Sequence, residues 1–360
     1  MAFALAACPA GAQSQQALPR RPNIILIVAD GLSAGDLSCY GQAQFQTPNL
    51  DKLAAGGIRF THYSAGGVAS SRAHATLMTG KEIGTADADV TLAPDDTTIA
   101  QLLRSSGYFT CLVGEWNLGD QNSYGAPWLK GFNEFGGYFT LADAENAYAD
   151  FIWRYEPAMG PGKAPTFNGP EMIYANTGGK QAEYIPDFLA NMAMKFTKGH
   201  QPATYNHYQP FFLQLNFAIP GNGNHVVPTD APFSEEPWPQ AEKNRAAMIG
   251  RLDGYIGQLL EHLDNIRQAT NTVIVFTSDT VPQKAGGTDP KFFQENTSPD
   301  SLLVPMIVSW PGKIPAGRVS DVACSARDFL PTVAAIGLVT PPEQVNGVSF
   351  APALYGQAAR

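Results

Sequence analysis

The sequence predicts an α/β protein built on a large, mostly parallel sheet with helices on both faces. Three observations carry that expectation. Residues 23–30, NIILIVAD, form a continuous apolar run ending in an acid, the pattern of a central strand buried on both faces. Similar runs recur at 109–116 (FTCLVGEW), 210–220 (PFFLQLNFAIP), 271–279 (NTVIVFTSD) and 304–310 (VPMIVSW). Helical periodicity lies between them, most plainly at 241–265, where Leu252, Ile256, Leu259, Leu260 and Leu263 share one face. Strand and helix in alternation wind a doubly covered sheet.

The elements follow in order. Thr47-Pro48 opens a short helix that runs through Ala55 and stops at Gly56-Gly57. Residues 66–80, GGVASSRAHATLMTG, read as a second helix with Ser70 and Ser71 as caps and Gly80 as its stop. In DDTTIAQLLRSSGY, Asp96 or Thr97 caps, Ile99, Leu102 and Leu103 face inward, and Gly107 ends the turn. Residues 120–205 are aromatic, Gly-rich and irregular apart from a helical piece at Asp187–Lys198. They are expected to lie as long loops over one face of the sheet. ARDFLPTVAAIG, 326–337, is the last helix. One domain spans 21–360, after a signal-like or disordered segment at 1–20.

Composition narrows the function classes. A chain of 360 residues with 44% hydrophobic and 15% charged residues buries a sizeable core. A net charge of −9 excludes nucleic acid as a partner, because phosphate binding needs basic surface. Any anion site has to be local. Cys8, Cys39, Cys111 and Cys324 have neither metal-knuckle nor redox-pair spacing. The last three read as buried thiols. The N-terminus carries an apolar run and then Ala10-Gly11-Ala12, an AxA-like cleavage site. Leu5-Ala6-Ala7-Cys8 also matches a bacterial lipoprotein box, which would lipidate Cys8. Both readings imply export, to the periplasm or beyond. No later stretch is apolar for long enough to be a transmembrane helix.

In open α/β sheets ligands bind beyond the carboxyl ends of the strands. Asp30, Glu115 with Asn117, the loop Gly221–His225 and Asp279 are therefore the positions of interest. The ordered set RPNIILIVAD, TPNLDKLAAGGIRFTHYSA, LMTGK, TTIAQLLRSSGYFTCLVGEWNLGD, RLDGYIGQLLEHLD and VPMIVSWPGKIPAG resembles the sulfatases of the alkaline-phosphatase superfamily, arylsulfatase A-like branch. The resemblance runs from about Arg21 to the C-terminus. It implies an alkaline-phosphatase-like sandwich and hydrolysis of sulfuric esters. It also implies a formylglycine nucleophile made from Cys or Ser, a calcium ion held by Asp and Asn, and Arg, Lys and His around the sulfate. Such a reaction builds negative charge that cations must stabilise.

Position by position, the charge-bearing residues depart from that pattern. The first calcium pair is Asp30-Gly31 where the family has Asp-Asp, and the late Asp-Asn pair is Asp279-Thr280. Ungapped, Ser70 falls in the nucleophile slot, with Arg72 and His74 where the motif has Pro and Arg. A gapped match instead equates Ser71-Arg72 with the motif's Ser-Arg. Either way the CxPxR signal is broken, so formylglycine is not expected. Gly-Lys-Trp-His is replaced by Gly114-Glu115-Trp116-Asn117, and Pro-His by Pro220-Gly221. A basic loop between Asn296 and Val304 is shortened, and the smaller C-terminal subdomain is expected to be missing. Exchanging Lys for Glu about 5 Å from a monoanion changes its energy by roughly 3 kcal/mol in each direction at an effective dielectric of about 20.

These readings assign Ser70 and His74 to catalysis, Arg72, Glu115 and Asn117 to the substrate slot, and Asp30, Asp279 and Thr280 to a metal. The metal is Ca²⁺, weakly held or lost. The competing assignment makes Ser70 a helix cap, His74 a surface residue, and Asp30 and Asp279 relics that accept backbone hydrogen bonds. Three functions follow: a non-catalytic binder of a sulfated or acidic glycan, a small ester or a protein partner; a divergent metal-dependent sulfatase or phosphatase-type hydrolase using Ser70; or a decayed product without a role of its own.

Overall fold

The computed structural model describes residues 20–82, 90–157, 164, 166–205, 208–221, 227–281 and 303–357. Its first strand, β1 (Asn23–Asp30), is buried at every residue. The reason is alternation between two cores: Ile24, Leu26 and Val28 enter one, and Ile25, Ile27 and Ala29 the other. After β1 come α1 (Pro48–Ala55), β2 (Ile58–Phe60), β3 (Tyr63–Ser64), α2 (Ser70–Thr79), α3 (Ile99–Ser105) and β4 (Phe109–Glu115). The middle of the chain adds β5 (Glu134–Tyr138), α4 (Leu141–Ala144), β6 (Phe151–Glu156), β7 (Thr166–Met172), α5 (Ile185–Gly199) and α6 (Pro202–Tyr205). The last part supplies β8 (Phe211–Pro220), α7 (Gln240–Asn265), β9 (Thr272–Ser278), β10 (Met306–Ser309), β11 (Arg318–Ser320), β12 (Cys324–Ser325), α8 (Phe329–Ile336) and α9 (Ala351–Leu354).

Ten strands form one sheet in the order β11-β2-β10-β9-β1-β8-β4-β5-β6-β7. The centre, from β9 to β5, is parallel throughout. β10 on one side, and β6 and β7 on the other, add antiparallel pairs. Helices α2, α3 and α8 pack on one face, through residues such as Met78, Leu103 and Leu330. Helices α1, α5 and α7 pack on the other, through Leu50, Leu189 and Leu252. The expected mixed sheet with helices on both faces is therefore present, and Asp30, Glu115 and Asp279 come to neighbouring strand ends.

Three expectations are corrected. Residues 120–205 are not only loops: β5, β6 and β7 extend the sheet from 134 to 172. Their strands are short, and the Gly136-Gly137 pair and Pro170 hide them from a propensity reading. Helix α3 is capped by Thr98, not by Asp96 or Thr97. The Thr98 hydroxyl accepts from the Gln101 N–H at 3.2 Å while Gln101 Oε1 accepts from the Thr98 N–H at 2.9 Å. Asp96 instead accepts from Ala93 N–H and pairs with Lys81. Cys111 and Cys324 are buried free thiols as expected, but Cys39 is only half-buried. Among the described residues no helix is long and apolar enough to cross a membrane. Cys8 lies outside them.

Helix α1 begins with a tie to α7. Its N-cap residue, Thr47, makes no side-chain cap because its hydroxyl pairs with Ser38. Asp253 takes over: its carboxylate accepts from the N–H groups of Asn49 at 3.0 Å and Leu50 at 2.8 Å, and from Asn49 Nδ2 at 2.8 Å. Removing it strands a buried donor at a helix start. Asp253→Ala is expected to cost roughly 2 kcal/mol in a urea unfolding curve with an unchanged slope; a midpoint equal to wild type would refute this role.

Candidate functional site

Three parallel strands deliver one acid each to the same edge of the sheet. β1 ends in Asp30, and Asp279 follows β9 directly, with its N–H on Ala29 O at 3.1 Å. β4 ends in Glu115, whose carbonyl accepts from Asn216 Nδ2 of β8 at 2.7 Å. Gly114 precedes it at φ 104°, and a Cβ there would lie 1.8 Å from Asn216 O. Only glycine fits that approach, which sets the direction in which Glu115 leaves the strand. All three acids are buried, Glu115 to 1% exposure.

Helix α2 closes the group. Its N-cap is Ala69, so Ser70 is the first helical residue rather than a cap. Ser71 is no cap either; its hydroxyl accepts from Val90 N–H. The Ser70 hydroxyl donates to Asp279 Oδ2 at 2.6 Å and stands 3.3 Å from Glu115 Oε1. One turn on, His74 Nε2 lies 3.4 Å from the same Asp279 oxygen. His74 is 2% exposed, so the surface assignment for it is wrong. On the far side, Thr280 Oγ1 lies 3.3 Å from Asp30 Oδ1 and 3.1 Å from Asp279 Oδ1, and accepts from Gly31 N–H.

The two hydroxyls dictate a protonation pattern. Each carries one proton and faces two carboxyl oxygens, so both contacts are hydrogen bonds only if an acid brings a proton of its own. Burial pushes Glu115 well above the usual carboxylate range, and the charges of Asp30 and Asp279 push further, against the Ser70 bond. Asp30 is raised likewise, by burial and then by Asp279 and Glu145, while Thr280 and Arg245 pull it back. His74 is lowered by burial, which outweighs the nearby Asp279 charge. Its contact with Asp279 is therefore that of a neutral imidazole.

Other expected site residues stand apart. The Arg72 stem packs against Gly67, and among the described residues its guanidinium makes no bond to the acids. Asn117, at φ 55°, donates its backbone N–H to Phe139 O, and its side chain does not join the cluster. His225, and the segment before Leu303 expected to be a shortened loop, lie outside the described residues.

The sequence profile described as Sulfatase matches residues 22–337. The chain belongs to the sulfatase family. N-acetylgalactosamine-6-sulfatase of Canis lupus familiaris is 28% identical to it over 94% of this chain and 67% of the relative. N-acetylgalactosamine-6-O-sulfatase of Bacteroides thetaiotaomicron is 28% identical over 88% of this chain and 73% of the relative. Among solved structures, Ps i-CgsB in complex with k-i-k-neocarrahexaose superposes with a TM-score of 0.72 at 28% identity, covering 93% of this chain and 76% of that one. The phosphonate monoester hydrolase of Agrobacterium radiobacter shares the fold, with a TM-score of 0.65 at 20% identity, covering 94% of this chain and 78% of that one.

A sulfatase-family chain raises the question of calcium. The ion takes six to eight oxygens at about 2.3–2.6 Å. Here the Ser70 and Thr280 hydroxyls already bridge the carboxyls pairwise. Among the described residues no three His, Cys, Asp or Glu side chains are grouped to hold a metal ion. This arrangement of Asp30, Asp279 and Thr280 does not fit calcium. The cavity touching Glu115 is about 10 Å³, room for one water, and Glu145 and Asn216 help line it.

Sequence reasoning missed two contributors in this sulfatase-family site. Glu145 follows α4, and its charge acts on both Asp30 and Glu115. Arg245 on α7 is 3% exposed and donates to Gly221 O, Gly31 O and Asp36 Oδ2 at 2.8–2.9 Å. A signal for it existed: an arginine on the apolar face of an amphipathic helix needs buried acceptors.

Because Glu115 and Asp30 hold protons in the fold that the unfolded chain releases, the sign of the pH dependence is set. The contribution of Glu115 is complete below about pH 4.5 and that of Asp30 below about pH 3.8, their ordinary values, and each is lost as pH rises through the raised value. Thermal melts in chelator are expected to decline from pH 5 to pH 8, with a smaller decline in Glu115→Gln. Parallel declines in the two proteins would show that Glu115 is not part of the shared-proton set.

Proposed function

We propose that this sulfatase-family protein does not hydrolyse sulfate esters, and that its strand-end centre holds protons where an ester hydrolase holds cations. The observation that carries the proposal is Glu115. It occupies the position that the family resemblance gives to a lysine, is buried, and shares the Ser70 hydroxyl with Asp279. An incoming sulfate would meet three acids and a neutral imidazole. Ser70 has an acceptor in Asp279, but the pentacoordinate transition state of sulfuryl transfer would meet Glu115 where the family resemblance gives a stabilising lysine. The sulfated glycans of relatives are accordingly not proposed as ligands of this centre; a glycan or acidic partner would bind elsewhere on the molecule. Export through the N-terminal segment, with or without lipid on Cys8, is part of the same proposal.

One observation favours a second reading. The 2.6 Å hydrogen bond from Ser70 to Asp279, with His74 at 3.4 Å from the same oxygen, is a nucleophile-and-acceptor pair of the kind an active divergent hydrolase would use. The two readings part in one assay. An aryl sulfate and an aryl phosphate are offered to wild type and Ser70→Ala, with Ca²⁺ or Zn²⁺ added. No turnover is expected from either protein, and no rise in melting temperature with Ca²⁺. A rate present in wild type and lost in Ser70→Ala would establish the hydrolase instead.

A further inference from the structure

A wide cleft lies at the other end of the sheet. It is about 650 Å³, within the range of roughly 300–1,000 Å³ usual for small-molecule sites. It opens between the C-terminal end of α1, the last turns of α7, the start of β9 and the turn after β10. Ile274 lines it, five residues before Asp279 on the same strand run, or about 16 Å away. The cleft is therefore separate from the acid cluster and uses none of its residues.

Its chemistry is two-sided. Leu53, Leu260, Leu263 and Ile314 make the walls mostly apolar. The Ser309 hydroxyl on the lining is already committed to Gly56 O at 3.2 Å. What remains polar is charge: Lys52 and Lys313, both exposed, against one acid, Asp264. Among the described residues neither ammonium is engaged in an ion pair or a side-chain hydrogen bond. On a chain with a net charge of −9, a cleft edged by a surplus of free ammonium groups is a local exception. An apolar trough beside two unpaired cations is complementary to a molecule with an apolar body and an anionic head.

We infer that this cleft binds a single-chain amphiphile with an anionic head group, the hydrocarbon lying against Leu53, Leu260, Leu263 and Ile314 and the head between Lys52 and Lys313. The binding is non-covalent and independent of the strand-end centre. A neutral chain of the same length loses the head-group contacts and binds more weakly. The occupant is one small molecule, not a protein surface, so wild type should stay the same size when it binds.

The test is calorimetric titration of the full chain with decanoate, below its micellar concentration, and with decanol. Expected is saturable binding of one decanoate per chain. The double variant Lys52→Gln/Lys313→Gln should weaken decanoate about tenfold and leave decanol unchanged. Ala269→Phe, which places a ring in the cleft, should weaken both at least about tenfold. A circular-dichroism melt checks that this variant is folded, and if it is not, the exposed lysine pair decides alone. The inference is overturned by any of three results: no saturable binding, decanoate affinity unchanged in the lysine variant, or binding accompanied by self-association in sedimentation.

Discussion

A buried guanidinium has to find acceptors, and the positions of those acceptors organise the carboxyl edge of this sheet. Arg245 reaches from α7 to the carbonyls of Gly31 and Gly221, the first residues beyond β1 and β8, and to Asp36. Leaving any of these unmade would strand charge in a dry interior, at a cost of several kcal/mol. The two turns are thereby held together, and Gly221 N–H in turn bonds Asp30 O. Asp30 is presented at a fixed place beside Asp279, and the same positive charge opposes the rise of its proton affinity. The acid cluster thus stands beside a structural ion pair, Arg245 with Asp36.

From that frame the chemistry follows by counting protons. Three acids, two hydroxyls and a neutral imidazole share their protons at the strand ends, with the Arg245 charge acting on Asp30 from one side. The family's scaffold supplies the geometry, since strand ends in a parallel sheet necessarily bring their last side chains together. The side chains installed there decide what that geometry does. Glu115 in this setting offers none of the positive charge with which a lysine would draw in an anion, and Ser70 spends its hydroxyl on a neighbour.

Much of this was legible in the sequence. β1, β4, β8 and β9 each announced themselves as apolar runs because a doubly covered strand has no polar side to show. Asp30, Glu115 and Asp279 were found by asking what stands at the ends of those runs. The burial of His74 was not legible: it lies four residues after Ser70 on a helix whose first turns carry mainly small residues and Arg72, and only the docking of α2 over the strand ends puts it inside. β5 to β7 were invisible for the opposite reason. β5 is buried but broken by its glycine pair, and β6, mostly half-exposed, carries aromatic and charged side chains where the central strands carry aliphatic ones. Glu145 and Arg245 act across long stretches of chain, and no local pattern relates them to Asp30.

The place of β1 in the sheet has a kinetic consequence. It is synthesised long before its two neighbours, β8 and β9, whose residues 212–220 and 272–278 pair with it. Eight apolar-rich residues with strong strand character must wait for some 250 more to be made before both edges are covered. Until then NIILIVAD is an open template for the wrong partner, including another nascent copy of itself. Fast synthesis at high concentration would select for aggregates seeded at β1, whatever the stability of the finished sheet. A holding factor that shields that stretch would raise the yield of folded protein more than any added contact in the core.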